Sequence, residues 1–439
     1  MNVLAAARAW RWMSTEALAT ERRLRAVPAF SATIPMVADA VPSLEALAVA
    51  DRAVATAKAS LQLRLRGFVD LLSAQPPSPT TLVRLHRRWI VLRSQFDQLL
   101  STVDVFADAL TQRAEHGTGT LLRGLDRLAL DGLRTTRWLY RSPPLVCYLD
   151  AGLGGAIRRA FTQLPDGSAN GVALVRVPRE RLFGAALASV LHEVGHQGAA
   201  LLDLVPAYQK VISRAAVAGQ LTDIQAVYWL RKISEALPDA WALCKLGPTA
   251  SIGLFGTFGR SPRFTFHDNV ADPHPMPWIR ALLSVELGAS LLPDPVWSEL
   301  RDLWLTLYPR ERAPHDCLDL IESISPSIPV MAGLLARSHL RALRGSTLGE
   351  ALGAKRVHPA TLASGRLPGD AREEPADSPC TAVAAIGLAR YRGRIRPAEE
   401  HDRIRQVLTG HASTAAPTPA RRFARTTQQP QPSARNAVN

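Results

Sequence analysis

From Ser43 to Tyr140 apolar residues recur at three- and four-residue spacing, the period of a helix with one buried face. Ser43 stands where an N-cap belongs, ahead of "LEALAVADRAVATAKASLQLRLRGFVDLLS". The prolines of "AQPPSPTT" interrupt the run, because proline has no N–H to donate and clashes with the preceding turn. The same period resumes in "TLVRLHRRWIVLRSQFDQLLSTVDVFADAL" and predicts an antiparallel helical hairpin or small bundle. The pattern then changes. "PLVCYL" and "GVALVRV" are short apolar runs on either side of the turn-rich "PDGSANG", and they are the strand candidates. Long helical segments follow, among them Leu182 to Val205 and Leu221 to Lys245.

Beyond Ser346 the pattern thins. "SGRLPGDAREEPADSPC" reads as a linker, and "AVAAIGLARYRGRIRPAEEHDRIRQVL" as one or two further helices. The residues after Gly410 are too polar and proline-rich to bury a core. These changes divide the chain into a helical N-terminal region (1–142), a central core (143–345), a C-terminal helical region (346–410) and a disordered tail (411–439). The fold class expected is mainly α, an α+β chain in which a small antiparallel sheet lies beside the helices. No internal repeat of fixed period is present.

With 439 residues, 47% of them hydrophobic, the chain is long enough to bury a substantial core. Its net charge of +14 is carried by arginine, since the only lysines are Lys58, Lys210, Lys232, Lys245 and Lys355. Such a field attracts nucleic acid, anionic membrane or acidic partners. The arginines are dispersed, however, with no aromatic-interleaved basic block, so no dedicated nucleic-acid module is expected. Cys147, Cys244, Cys317 and Cys380 form no CxxC pair and read as small buried residues. The N-terminal stretch "MNVLAAARAWRWMSTEALATERRL" lacks the charged and apolar regions of a secretory signal. Nor does any run approach the roughly 20 apolar residues of a membrane span. The expectation is a cytoplasmic protein without a transmembrane segment.

One stretch carries chemistry. In "SVLHEVGHQGAALLDLV", His192 and His196 stand at i and i+4, on one face of a helix, from which two imidazoles can reach one zinc ion at about 2.0–2.1 Å. Glu193 is rotated from that line by about 100° and reaches a water rather than the ion, the position of a general base. Gly195 leaves room for a neighbouring element. An HExxH arises by chance in roughly one such chain in a hundred, and the bland alternative is a pair of packed helix histidines. A catalytic zinc needs a third protein ligand. "KISEALPDAWALCK" offers Glu235 as that ligand, with Asp239 one turn on to accept the other ring N–H of a ligand histidine. Pro238 must then sit near a first turn or kink its helix.

HEVGH followed by S-E-A-L-P-D-A-W-A resembles the gluzincin metallopeptidases, thermolysin-like and CAAX-protease-like, whose third ligand lies in an E-x-x-x-D pattern on a second helix. "DPHPMPWIRALL", Asp272 to Leu283, resembles the His-Pro stretch, with an arginine six positions on, that CAAX-processing and heat-shock membrane proteases carry. The resemblance implies that His274 faces the open side of the metal and that His274 or Arg280 stabilises an oxyanion. His267, in "RFTFHDN", is a rival donor. It also implies that "GVALVRV", entered through a turn at Asn170 and Gly171, is an antiparallel edge strand to which an extended peptide adds. The likeness spans Pro144 to Leu292. It departs from the family in lacking transmembrane helices, in Ser234 where the thermolysin pattern has asparagine, and in a longer interval between HExxH and the glutamate.

The function expected is therefore a zinc-dependent hydrolase, a metallopeptidase with one Zn²⁺ per chain acting on peptides or proteins. The N-terminal helices or the C-terminal tail would offer a surface to a protein partner. The competing expectation is a non-catalytic, metallopeptidase-like interaction or assembly module, which has no need of Glu193.

Overall fold

The computed structural model describes residues 3–74, 79–151, 154–164, 166–179, 182, 184–269, 271–368 and 378–413. The tail expected over 411–439 lies outside them from residue 414 onward. Helices of ten or more residues are numbered in chain order. The first four are α1 (Val3–Ala26), α2 (Leu44–Ala74), α3 (Pro79–Thr111) and α4 (His116–Leu133). Three strands follow, β1 (Leu145–Asp150), β2 (Ala156–Arg158) and β3 (Ala173–Pro178). Then come α5 (Ala188–Leu201), α6 (Leu204–Val217), α7 (Asp223–Leu246), α8 (Pro248–Phe258) and α9 (Pro277–Leu291). The remainder are α10 (Val296–Leu307), α11 (His315–Ile324), α12 (Ile328–Arg337), α13 (Pro379–Tyr391) and α14 (Pro397–Ser413). The protein is mainly α, as its periodicity predicts, with one three-stranded sheet.

α1, α2 and α3 form a bundle. The Ser43 hydroxyl accepts from Ala46 N at 3.2 Å, capping α2 as expected. The distal half of the bundle has its own apolar cluster, including Met13, Leu65, Phe68 and Trp89. The proximal half packs Val54, Phe106 and Leu110 against Val146 and Leu174 of the sheet.

The sheet differs from expectation. Its order is β1-β3-β2, with β3 parallel to β1 and antiparallel to β2, so it is mixed rather than antiparallel. "GVALVRV" supplies the central strand and not an edge. Ala173, Leu174, Val175 and Val177 are all buried, and a strand apolar on both faces belongs inside a sheet. The edge beside α5 is β2, three residues without alternation that sequence patterning passes over. Asn170, fully buried, does shape the turn into β3: its side chain donates to Arg159 O at 3.0 Å and accepts from Val172 N at 3.1 Å.

The outer edge of β1 is closed by side chains. Gln112 bonds both the N–H and the C=O of Leu149 at 2.8 Å. Asp126 of α4 accepts from Cys147 N at 2.7 Å, while Arg113 donates to Cys147 O at 2.6 Å. Arg113 and Asp126, both at 0% exposure, pair bidentately at 3.1 Å. Each buried charge therefore meets its partner.

The largest apolar cluster extends from Leu121 to Leu408. It includes α4 and also the C-terminal α13 and α14, so its limits do not coincide with boundaries at 142 and 345. The close seat of α14 on α4 is made at Gly124, where a Cβ would stand 2.3 Å from Leu408 O. Within this cluster lies His315–Arg337, α11 and α12 with a tight turn between them. Among the described residues it alone is long and apolar enough to cross a membrane, by length and composition, although no such run was expected; 44% of its apolar window is buried.

At the centre α5 crosses α7. A Cβ on Gly195 would stand 2.7 Å from Pro238 Cα and 2.9 Å from Trp241 Cβ, and one on Gly198 would stand 2.2 Å from the Trp241 ring. Only hydrogen fits at either position. α7 is capped at Thr222, in a reciprocal box with Gln225, and runs on through Pro238, well past its first turn. Trp241 Nε1 donates to Gly132 O at 2.9 Å, tying this crossing to α4.

Gly198→Ala should therefore lower the stability of the chain by about 1–3 kcal/mol, since the neighbour is a ring locked by its own hydrogen bond. Urea unfolding checks this. An unchanged midpoint would mean that α5 and α7 are free to separate.

Candidate metal centre

α5 is a continuous helix, so His192 and His196 share a face; their rings lie edge to face with centroids 4.8 Å apart. α7 brings Glu235 against them. Glu235 Oε2 lies 3.3 Å from His192 Nε2 and 3.4 Å from His196 Nε2. One ligand atom from each of the three residues fits within a sphere of mutual separation of 4.8 Å. Donors at 2.0–2.1 Å from a tetrahedral ion lie about 3.3–3.4 Å from one another. The two separations to Glu235 fall in that range. Oε2 is also buried and engages no hydrogen bond of ordinary geometry, although imidazole nitrogens ring it. Two nitrogens and a carboxylate oxygen so placed fit zinc in both chemistry and spacing.

Asp239 stands behind His192. Its Oδ1 lies 2.8 Å from His192 Nδ1, which assigns the proton to Nδ1 and leaves Nε2 free to bind. Arg280 of α9 holds Asp239 in turn, with Nη2 at 2.8 Å from Oδ1 and Nε on Oδ2. Arg280 is 7% exposed, lies over the Phe258 ring and approaches His192 Nδ1 at 3.3 Å. Its Nε and Nη2 edge is given to Asp239, and the side chain also lines the cavity beside His192.

These contacts set the charges. Burial raises the Asp239 carboxyl, but Arg280 and then His192 outweigh it and bring it down to about 2. Burial lowers the His192 imidazole, and Asp239, followed by Glu235, overrides that and pushes it up to about 9. Glu235 feels burial in the opposite sense, and His192, His196 and His274 hold it far below the usual carboxylate range.

Glu193 is 9% exposed and points along the cleft beside the histidines. Its carboxylate rests on the backbone of Gly155, where a Cβ would stand 2.8 Å from Oε1. Glycine lets the segment preceding β2 approach the acid. A cavity of about 360 Å³ opens here, walled on one side by His192, Glu193 and His274 and on the other by Leu254, Phe258 and Phe264. His267 also lines it.

His274 is the half-exposed member, at 46%, with Nε2 3.0 Å from Glu235 Oε2 and Nδ1 2.6 Å from Asp272 Oδ1. Contact with Glu235 raises its pKa against the effect of burial. The loop that carries it is fastened by two residues that sequence reading missed. Lys232, 2% exposed, donates to Asn269 O at 3.1 Å and Asp272 O at 2.7 Å, with Asp268 at 3.5 Å. Tyr228 accepts from Met276 N at 3.2 Å. A signal was present: Lys232 is one of few lysines in an arginine-rich chain, one turn before Glu235 and within an apolar helical period.

No family model, curated protein or solved structure matches the chain.

Because the folded pKa of His192 lies above its ordinary 6.5, its pairing with Asp239 adds stability that is complete below about pH 6.5 and is lost as pH rises through about 9. Chelator-treated protein should accordingly show urea midpoints that fall across this window. Asp239→Asn should flatten that slope; an unchanged slope would assign it to another group. Lys232→Met should expose the His274 loop to proteolysis while leaving the α5 and α7 cores protected from hydrogen exchange.

Proposed function

We propose that this chain is a zinc-dependent hydrolase of the gluzincin type, cleaving peptide bonds in peptides or proteins. The observation that carries the reading is the convergence of His192, His196 and Glu235, with Glu235 Oε2 3.3 and 3.4 Å from the two imidazoles and all three ligand atoms within 4.8 Å, and with Glu193 beside His192 on the cleft wall. His192, His196 and Glu235 would hold one zinc ion. When bound, zinc supplies a Lewis acid that lowers the pKa of water and polarises a carbonyl.

The chain's own groups have distinct work. Glu193 accepts the proton of the attacking water and passes it to the leaving amine, the task of a carboxylate placed beside two ligands without being one. Asp239 fixes the His192 tautomer and Arg280 fixes Asp239, so the ligand face stays aligned. His274, half-exposed in the cavity lining, would turn its Nε2–H, which rests 3.0 Å from Glu235 Oε2, to the oxyanion that develops on the carbonyl. The half-exposed position favours His274 over the enclosed Arg280 for that contact. An extended substrate has β2, rather than β3, as its available edge. The cavity accommodates one side chain of the substrate against Leu254, Phe258 and Phe264.

Purified protein should contain about one zinc per chain by metal analysis, and His192→Ala should lose it. Glu193→Gln should keep the metal while cleavage of casein falls by about a hundredfold or more. Casein cleavage equal to wild type in that variant would reject the mechanism. His274→Ala should lower kcat with zinc retained; zinc lost in parallel would make His274 a ligand.

A further inference from the structure

We propose that the outer half of the N-terminal bundle is a docking surface for anionic lipid bilayers. The inference is independent of the hydrolase reading, since the metal cluster draws no side chain from the bundle.

Charge is concentrated there. Val3–Ala26, 60–74 and 79–99 together hold eleven arginines and four acidic residues, so these 60 residues carry half of the chain's net +14. Arg8, Arg11 and Arg22 of α1 and Arg84, Arg87 and Arg88 of α3 are exposed and, among the described residues, make no ion pair with a carboxylate. Their charge faces solvent unneutralised.

Apolar side chains lie among them. Trp12 is 56% exposed, Leu63 74%, Ile90 53%, Val83 52%, Val91 50% and Leu18 46%. On α3 the sequence Val83, Arg87, Ile90, Val91 follows one helical face, opposite the buried Leu82, Leu85, Trp89 and Leu92. On α1, Arg8, Arg11, Trp12 and Arg22 lie opposite Met13, Ala17 and Leu24. Each helix thus has a core stripe and a second, outward stripe in which arginine alternates with apolar residues. This half of the bundle is also the one whose cluster contains no sheet residue, so it extends away from the main core.

A bilayer matches both components. Arginine guanidinium groups reach phosphates at the headgroup level while their stems lie along apolar surface, and tryptophan and branched aliphatic side chains enter the acyl boundary. A nucleic acid would use the arginines but gains nothing from exposed valine, isoleucine and leucine, which neither stack on bases nor bond phosphate.

Full-length protein should co-sediment with vesicles of phosphatidylcholine plus phosphatidylglycerol and not with phosphatidylcholine alone. Tryptophan emission should shift to shorter wavelength on binding, and raising salt from about 0.1 to about 0.5 M should weaken it. Arg84→Gln, Arg87→Gln and Arg88→Gln combined should reduce vesicle affinity by about a hundredfold. Trp12→Ser with Ile90→Ser should reduce it by about tenfold or more and abolish most of the emission shift. All five side chains changed are exposed, so urea midpoints should stay at the wild-type value and exclude misfolding. Absence of binding to the anionic vesicles overturns the proposal. So does full binding by the Trp12→Ser, Ile90→Ser variant, or binding of duplex DNA that this variant leaves untouched while vesicles are ignored.

Discussion

Everything at the candidate centre depends on how closely α5 approaches α7. The crossing is made at Gly195 and Gly198, with Pro238 and Trp241 filling the space that side chains would otherwise occupy. Had either glycine carried a Cβ, the helices would stand farther apart and the Glu235 carboxylate would leave the reach of the two imidazoles. Backbone proximity, a matter of van der Waals packing, is thus what turns two separate helical motifs into one cluster. The hydrogen bond from Trp241 to Gly132 extends the constraint to α4, so the crossing is braced from a third side.

α7 is the organising element. Tyr228, Lys232, Glu235 and Asp239 recur along it at helical spacing and form one polar stripe on a helix whose C-terminal half is buried. Each member of the stripe serves a different partner: Tyr228 and Lys232 hold the loop of His274, Glu235 meets the imidazoles, and Asp239 links His192 to Arg280. Burying so many charges is costly unless each finds its counterpart, and an isolated removal leaves the survivor unpaired in a dry site. The stripe is therefore a cooperative unit. At the cleft, Glu193, Asp239 and Arg280 are all nearly buried, and His274 is the half-exposed member.

The helical bundle obeys a different balance. Its proximal half is an ordinary packing partner of the sheet, whereas its distal half has a core of its own and exposes arginine and apolar groups together. The polar edge of β1, by contrast, is answered at Cys147 and Leu149: Gln112, Arg113 and Asp126 take up their main-chain groups, which blocks a further strand along that stretch.

Local regularities were legible in the chain itself. The i, i+4 spacing of His192 and His196, the E-x-x-x-D of Glu235 and Asp239, the Ser43 cap and the long helices all follow from the 3.6-residue period, which a sequence displays directly. Pairings between distant segments were not. Apolar content marked β3 as a strand, but only the competition for burial on both its faces put it at the centre of a mixed sheet. β2 is too short to show a period, and the partners of Lys232, the carbonyls of Asn269 and Asp272, were set only when its helix was turned inward. The bond from Arg280 to Asp239 was likewise invisible, because it rests on how α9 packs against α7. Periodicity specifies what one element can present; what meets it across the core is decided only when all the apolar faces are buried at once.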